Sequence, residues 1–381
     1  MKYPIYLDHN ATTPCSEEVI AAMLPFFGTH FGNAASKSHP FGWVAEQAVE
    51  EARESVAQLI GAKSKEIIFT SGATESLNLA IKGVFDLFPG EKQHYITCQT
   101  EHKAVLDSMA EIERRGAEVT YLPVNSDGEV DLNLLKQSIQ PHTKMICFMW
   151  ANNETGVIHP VQEIAQITDK HGIIFLTDAV QAVGKIPVST QGIHLMAFSA
   201  HKLYGPKGIG ALYVRHNHSL PKPLAQLHGG GHEKEFRSGT LNVPGIVGFG
   251  KAAQLRIQAM EEESSRLEKL RDRLESALLE LPGIHRNGSI RNRLAHVSNL
   301  SFSGVEGEEL LLKVNQQVAV SSGSACTSIS PKPSHVLQAM GISLDLGRAS
   351  LRFSLGKYNT ESEIESSIAW VKGVLKELRN R

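Results

Sequence analysis

Short apolar runs alternate with stretches of helical period through the middle of this chain. The runs Glu66–Thr70, His94–Cys98, Val119–Pro123, Met145–Trp150, Ile173–Thr177, Leu195–Ser199 and Gly210–Val214 read as strands. Between most of them, amphipathic patterns predict helices at Thr74–Leu87, Lys103–Arg115, Leu132–Ile139 and Val161–His171. Strand–helix–strand succession implies a mostly parallel sheet with helices on both faces. Gly210–Val214 follows a turn-rich stretch with no helix, so it is expected to enter antiparallel.

Beyond about Pro244 the pattern changes. Ile246–Leu281 reads as one long charged helix, stopped by Pro282 and Gly283. Strands are expected near Val297–Phe302, Gln317–Ser321 and Ser350–Ser354, and helices at Glu306–Asn315, Ser334–Met340 and Thr360–Leu378. Thr360 and Glu363 have capping-box spacing. The expected fold class is α/β. A large, mainly parallel-sheet domain spans 15–255, and a smaller α+β domain is built from 1–14 and 256–381.

Composition narrows the function classes. The chain has 381 residues, of which 41% are hydrophobic and 20% charged, which excludes a disordered or fibrous chain. Its formal net charge of -2 provides no basic field for nucleic acid or an anionic membrane. Neither a signal peptide nor an apolar run of about 18 residues is visible, so a cytoplasmic setting without membrane contact is expected. The cysteines Cys15, Cys98, Cys147 and Cys326 are widely spaced and form no CxxC pair. Cys98 and Cys147 sit in apolar runs and read as inert buried thiols.

Ligands of open α/β sheets bind beyond the carboxyl ends of the strands, so the residues following each strand carry the candidate chemistry. They are Ser71–Ser76 at a helix start, Glu101 and His102, Asn152 to Glu154, Asp178 with Gln181, and His201 with Lys202. Each has a plain alternative: a helix cap for Ser71–Ser76, His102 or Asp178, a turn for Asn152 and Asn153, a solvated surface lysine for Lys202. Together they suit pyridoxal phosphate. The helix start would hold a phosphate, the lysine would carry the cofactor as a Schiff base, and the carboxylate would pair with the pyridine nitrogen. The imidazole would stack on the ring. Rival motifs fail: Gly205–Gly210 has the wrong glycine order for a dinucleotide site and precedes a strand. Three glycines between His228 and His232 argue against a metal-binding helix.

The stretches YLDHNATTP (Tyr6–Pro14), FTSGATES (Phe69–Ser76), EHKAV (Glu101–Val105), NNETG (Asn152–Gly156), TDAVQA (Thr177–Ala182) and SAHK (Ser199–Lys202) resemble one family. RSGTLNVP (Arg237–Pro244), SSGSACTS (Ser321–Ser328) and LRFSLG (Leu351–Gly356) extend the match over essentially the whole chain. The sequence resembles cysteine desulfurases of the NifS/IscS type, fold-type I pyridoxal phosphate enzymes of the class V aminotransferase group.

That resemblance implies roles. Lys202 holds the cofactor and moves protons, Asp178 pairs with the ring nitrogen and His102 stacks on the ring. Asn152 and Gln181 contact its hydroxyl side; Ala73, Thr74, Ser199 and His201 hold its phosphate. Thr240 reaches the phosphate of a neighbouring subunit, implying a homodimer. Arg352, with Asn152 beside it, binds the carboxylate of L-cysteine. Cys326 becomes the persulfide, which passes to an acceptor such as an iron–sulfur scaffold or a tRNA-thiolation carrier. No resident metal is implied; the Cys326 persulfide would contact an iron–sulfur cluster only in transfer. The small and hydroxylic residues around Cys326 predict a loop between a strand and a helix. Where the family often reads GGGQE and then Arg, this chain has His232, Glu233 and Lys234 after its three glycines. An aminotransferase or selenocysteine lyase on the same fold, and a non-catalytic binding module, are the rival readings. Cys326 argues against an aminotransferase, which needs no thiol, and Lys202 with Cys326 argues against the module.

Overall fold

The structure is a computed structural model that describes residues 3–216, 218–322 and 334–380. Among the described residues, the chain opens on a two-residue strand, β1 (Ile5–Tyr6), then two helices, α1 (Glu17–Met23) and α2 (Pro40–Leu59). The apolar pattern predicted neither helix. The buried face of α2 is carried by small residues such as Ala45, Val49, Ala52 and Val56, which make a weak periodic signal. Pro40 opens this helix, where a missing N–H costs nothing, and His39 Nδ1 accepts from the Gly42 N–H.

The central segment then builds a seven-stranded sheet. Its strands are β2 (Ile67–Thr70), β3 (His94–Cys98), β4 (Glu118–Leu122), β5 (Thr143–Cys147), β6 (Ile174–Asp178), β7 (Leu195–Ser199) and β8 (Gly210–Val214). Their spatial order is β2-β8-β7-β6-β5-β3-β4. β8 pairs antiparallel with both neighbours, as its lack of a preceding helix suggested, and the other pairs are parallel. The helices α3 (Ala73–Phe85), α4 (Lys103–Arg114), α5 (Leu132–Ser138) and α6 (Val161–His171) fall within a residue or two of the predicted positions.

Apart from the edge strand β4, whose Glu118 is exposed, the strands are buried on both faces, which explains their unbroken apolar runs. Alternate residues enter opposite cores: Ile146, Phe175 and Phe198 pack on one side with α2 and α6, while Met145, Cys147 and Leu176 pack on the other with α3 and α4. Cys98 and Cys147 are fully buried; burial pushes the Cys98 thiol up to about 12 and holds the Cys147 thiol well above the usual thiol range. They are the inert thiols the sequence suggested.

Helix α7 (Val243–Leu279) runs unbroken for 37 residues. Its first part, with Ile246 and Phe249, packs into the core of the large sheet. Its last part, with Leu267, Leu270, Leu274 and Leu278, packs into another core, around a four-stranded sheet. That sheet comprises β9 (Ile284–Arg286), β10 (Val297–Phe302), β12 (Ser321–Ser322) and β13 (Ser350–Ser354), in the order β12-β13-β10-β9. The short strand β11 (Val318–Ala319) pairs in parallel with β1 instead. The N-terminal segment is thus stitched to this smaller unit: Leu7 lies in its core and Asp8 bridges Ser354. Helices α8 (Gly307–Val314), α9 (His335–Ala339), α10 (Leu344–Arg348) and α11 (Glu361–Arg379) complete it. The capping box of α11 is present, with Glu363 N–H bonded to Thr360 Oγ1 and Thr360 N–H to Glu363 Oε2. β9 and α10 were not predicted; each is no longer than five residues.

Candidate active site

The strand ends β2, β3, β5, β6 and β7 open on one rim. There they border a cleft of about 560 Å³ lined by Ala73, Thr74, His102, Asp178, Gln181, Ser199, His201, Lys202 and Arg352. All nine were singled out from the sequence, and the fold brings them together.

The helix α3 begins just past β2, with Gly72 as its N-cap at φ 156°. The first N–H groups of a helix have no intrahelical acceptor, so those of Ala73 and Thr74 are available to an anion in the cleft. Gly210 makes this turn possible. A Cβ on Gly210 would lie 2.6 Å from the Gly72 Cα, so only glycine lets β8 approach so closely. Glu75 secures the turn by accepting from the Ser71 N–H (2.8 Å) and from Arg237 Nε (2.8 Å).

Asp178 closes β6 and is 6% exposed. Its Oδ1 accepts from the Val180 N–H at 3.0 Å. Burial pushes its carboxyl up, while His102, the Val180 N–H and Lys202 pull the other way. A carboxylate so placed at the cleft is matched by a cationic ring nitrogen. His102 caps α4, accepting from the Ala104 N–H at 3.1 Å, and still borders the cleft. Its cap role and a ligand role are therefore compatible. Glu101 beside it is fully buried, one oxygen accepting from the Met149 N–H at 2.6 Å. Burial holds its carboxyl well above the usual range.

Lys202 follows β7 in a single turn of 3₁₀ helix. Its Nζ donates to the carbonyls of Asn10 and Ala11, both at 2.6 Å. His201 Nδ1 lies 3.1 Å from Thr12 Oγ1, and Ser199 Oγ donates to the Ile209 carbonyl. Arg352 enters from β13 of the smaller sheet and donates to Asp8 and to the Asn153 carbonyl. The site is thus assembled from both sheets and the N-terminal segment.

Asn152, Thr240 and Cys326 stand apart from this group. Asn152 does not border the cleft. Its Oδ1 accepts from the Glu154 and Thr155 N–H groups, and its Nδ2 donates to the Thr100 carbonyl, so the amide is spent on building a turn. Its neighbour Asn153 lines the cleft instead. Thr240 is exposed and lies outside the chain's own cleft. Cys326 lies outside the described residues.

The sequence reading missed Asp8 and Asn10. They stand in the YLDHNATTP stretch, but nothing local says that one meets Arg352 and the other Lys202. The altered loop His232–Lys234 also has a structural account. Glu233 is buried and accepts from both terminal nitrogens of Arg53 (2.8 and 2.7 Å) and from the Phe69 N–H. That pairing holds Glu233, Lys234 and Glu235 at φ of 49°, 58° and 69°, a left-handed turn that ordinarily favours glycine.

Comparison with known proteins agrees with this architecture. Residues 5–366 match the family described as Aminotransferase class-V. The "Cysteine desulfurase IscS" of Anaeromyxobacter dehalogenans (strain 2CP-C) is 53% identical over 382 residues, covering 100% of this chain and 94% of that relative. That of Dechloromonas aromatica (strain RCB) is 51% identical, covering 97% and 91%. Among solved structures, a "NIFS-LIKE PROTEIN" superposes with a TM-score of 0.92 at 37% identity, covering 98% of this chain and 100% of that one. "SspA in complex with cysteine" does so with a TM-score of 0.83 at 36% identity, covering 93% and 100%. On fold and sequence alike, the chain belongs to the class-V aminotransferase family.

Proposed function

We propose that this protein is a pyridoxal phosphate-dependent cysteine desulfurase, which takes sulfur from L-cysteine and releases L-alanine. The observation that carries this reading is the meeting of Lys202, Asp178 and Arg352 at one cleft. An aldehyde-reactive lysine amine, a carboxylate for a ring nitrogen and a guanidinium for a carboxylate are what an amino-acid substrate on this cofactor requires. The residues fit the cofactor in size and charge: about 560 Å³ of cleft, a helix start for its phosphate and a buried carboxylate for its ring. Ala73, Thr74, Ser199 and His201 would hold the phosphate, His102 would cover the ring, and Gln181 would meet its hydroxyl side. Bound there, the cofactor supplies an electron sink.

The chain's own groups do the rest. Arg352 orients the substrate by its carboxylate. Lys202, which would hold the cofactor, would also take and return the substrate Cα proton at its Nζ. Asp178 keeps its negative charge at the ring nitrogen and so holds a proton there. Cys326 supplies the thiolate that attacks the substrate sulfur. An S–S bond forms, the C–S bond breaks and Cβ gains a proton, so the exchange needs no outside oxidant or reductant.

The same reading includes a homodimer. Thr240 is exposed and does not line its own chain's cleft, and Phe27, Phe31, Phe41 and Trp43 are exposed on and near α1 and α2, apolar surface suited to a second copy. Acceptors of the persulfide would be proteins such as an iron–sulfur scaffold or a tRNA-thiolation carrier, in the cytoplasm. Among the described residues, no helix is long and apolar enough to cross a membrane.

The test is anaerobic incubation of the reconstituted protein with L-cysteine and a thiol reductant, measuring sulfide and alanine together. Equal amounts of both are expected. Alanine without sulfide, or neither product, would overturn the reading.

A further inference from the structure

Lys202 borders a second, smaller cavity of about 20 Å³ besides the cleft, room for a single water. Around it stand His9, Lys185, Tyr204, Arg256, Glu263 and His296. Arg256 and Glu263 are paired with one another, and Tyr204 donates to Glu263. His296 Nε2 lies 2.9 Å from the Asn10 side-chain oxygen. Lys185 turns instead toward the cleft wall, where its Nζ donates to Gln181 Oε1 at 2.6 Å. The Nε2 of the same amide donates to the Asn10 carbonyl at 3.0 Å.

These two bonds decide which way the Gln181 amide faces. A carbonyl can only accept, so Asn10 claims the nitrogen end, and Lys185 supplies a donor to the oxygen end. Reversal would set oxygen against oxygen at Asn10. With Oε1 occupied, the group that Gln181 can still offer to a ligand in the cleft is the second hydrogen on Nε2.

We propose that Lys185 is a positioning residue that locks Gln181 as a hydrogen-bond donor toward the ring oxygen of the cofactor. The proposal rests on the pyridoxal phosphate reading above. The electrostatic setting agrees with it. Burial, followed by the nearby charges of Lys202, Arg352 and Arg256, holds the Lys185 amine well below the usual lysine range, with Glu263 pulling the other way. A lysine so disfavoured as a cation serves here through its hydrogen bond.

The test is spectroscopic and needs no turnover. The visible band of the bound cofactor is titrated against pH in wild type, Lys185→Met, Gln181→Leu and the double variant. A donor on the ring oxygen favours the form in which that oxygen bears full negative charge. Its loss should therefore move the midpoint to higher pH, by about one unit in either single variant. In the double variant, Lys185→Met should add nothing to the Gln181→Leu shift, because it acts through that amide. A midpoint unchanged in Lys185→Met would overturn the proposal. So would a Lys185→Met shift that persists in full without Gln181, since it would then be a direct charge effect. Lys185→Leu carries the same comparison if the methionine variant is not recovered folded. A wild-type chain that takes up no cofactor would overturn the cofactor reading and this proposal together; uptake with no shift overturns the proposal alone.

Discussion

Arg352 and Asp8 form an ion pair at the edge of the cleft, with Arg352 Nη2 2.6 Å from Asp8 Oδ1. The other terminal nitrogen donates to the Asn153 carbonyl at 2.9 Å, while Nε has no partner among the described residues. Asp8 Oδ2 in turn accepts from Ser321 Oγ at 2.8 Å, on the short strand that precedes the segment bearing Cys326. One planar guanidinium is thus held from the N-terminal segment and from the loop after β5 while it faces the cleft.

Arg352→Lys should raise the Michaelis constant for cysteine about tenfold or more and change kcat less. An ammonium cannot meet Asp8, Asn153 and a substrate carboxylate in one plane. The loss of one charge-assisted bond, about 1.5–3 kcal/mol, sets that scale. Steady-state kinetics over a range of cysteine concentrations decide it, and an unchanged Michaelis constant would return Arg352 to a structural role.

Lys202 and Lys207 both line the cleft, so the cofactor's attachment point is open to a direct test. Borohydride reduction of the reconstituted protein followed by peptide mapping should find the cofactor on Lys202. Lys202→Ala should abolish the trapped adduct. An adduct on Lys207 in wild type would move the assignment.

Asp178→Asn should keep the cofactor and lose turnover by roughly two to three orders of magnitude, about 3–4 kcal/mol of transition-state stabilisation. A neutral amide cannot hold a proton on the ring nitrogen as a carboxylate does. Turnover close to wild type would remove Asp178 from that role.

Cys326→Ser should bind both cofactor and cysteine but form no persulfide. After cysteine treatment, mass spectrometry of wild type should find one added sulfur on the peptide containing Cys326. Added sulfur on Cys15, or undiminished sulfide from the serine variant, would refute the proposed transfer. Cys98 and Cys147 are excluded by burial.

Glu275 offers a pH prediction away from the cleft. It is buried on α7 and accepts from Arg293 (2.6 and 2.9 Å), Arg286 (2.7 Å) and Ser298 (2.7 Å). Burial pushes its carboxyl up, but these donors and the two arginines prevail and bring it down to about 2. The folded value is below the ordinary 4.5, so the network stabilises the fold above that pH. The contribution should fade as pH falls from about 4.5 to about 2. Glu275→Gln should flatten this part of the profile. It should also cost about 3 kcal/mol at pH 7, because arginines are left buried without their partner. Thermal melts across the range test both, and matching curves for variant and wild type would refute them.

Much of the fold was legible because its signals are local. Strands buried on both faces must be apolar throughout, and the helices between them must show one apolar stripe, so β3, β7, β8 and α6 stand where the pattern places them. The site was legible for a related reason. In a parallel sheet the residue after each strand is delivered to the same rim whatever the rest of the chain does. Asp178, Lys202, His102 and the start of α3 therefore declared themselves. Helix α2 did not, because its small buried side chains give little contrast with the polar positions between them, and α1 buries only Val19 in seven residues.

The sequence alone determined the chemistry available at the rim: a lysine, a carboxylate, an imidazole and a helix start, each set by its own few neighbours. Tertiary structure alone decided how those groups are held. Asp8 meets Arg352 across 344 positions, Arg53 meets Glu233 across 180, and the Asn10 carbonyl receives Lys202 across 192. It also turned Asn152 into the side chain that builds a turn and put Asn153 at the cleft. Periodicity and turn chemistry act over a few residues. An ion pair or a shared carbonyl acts over a few ångströms, and only the folded chain converts one distance into the other.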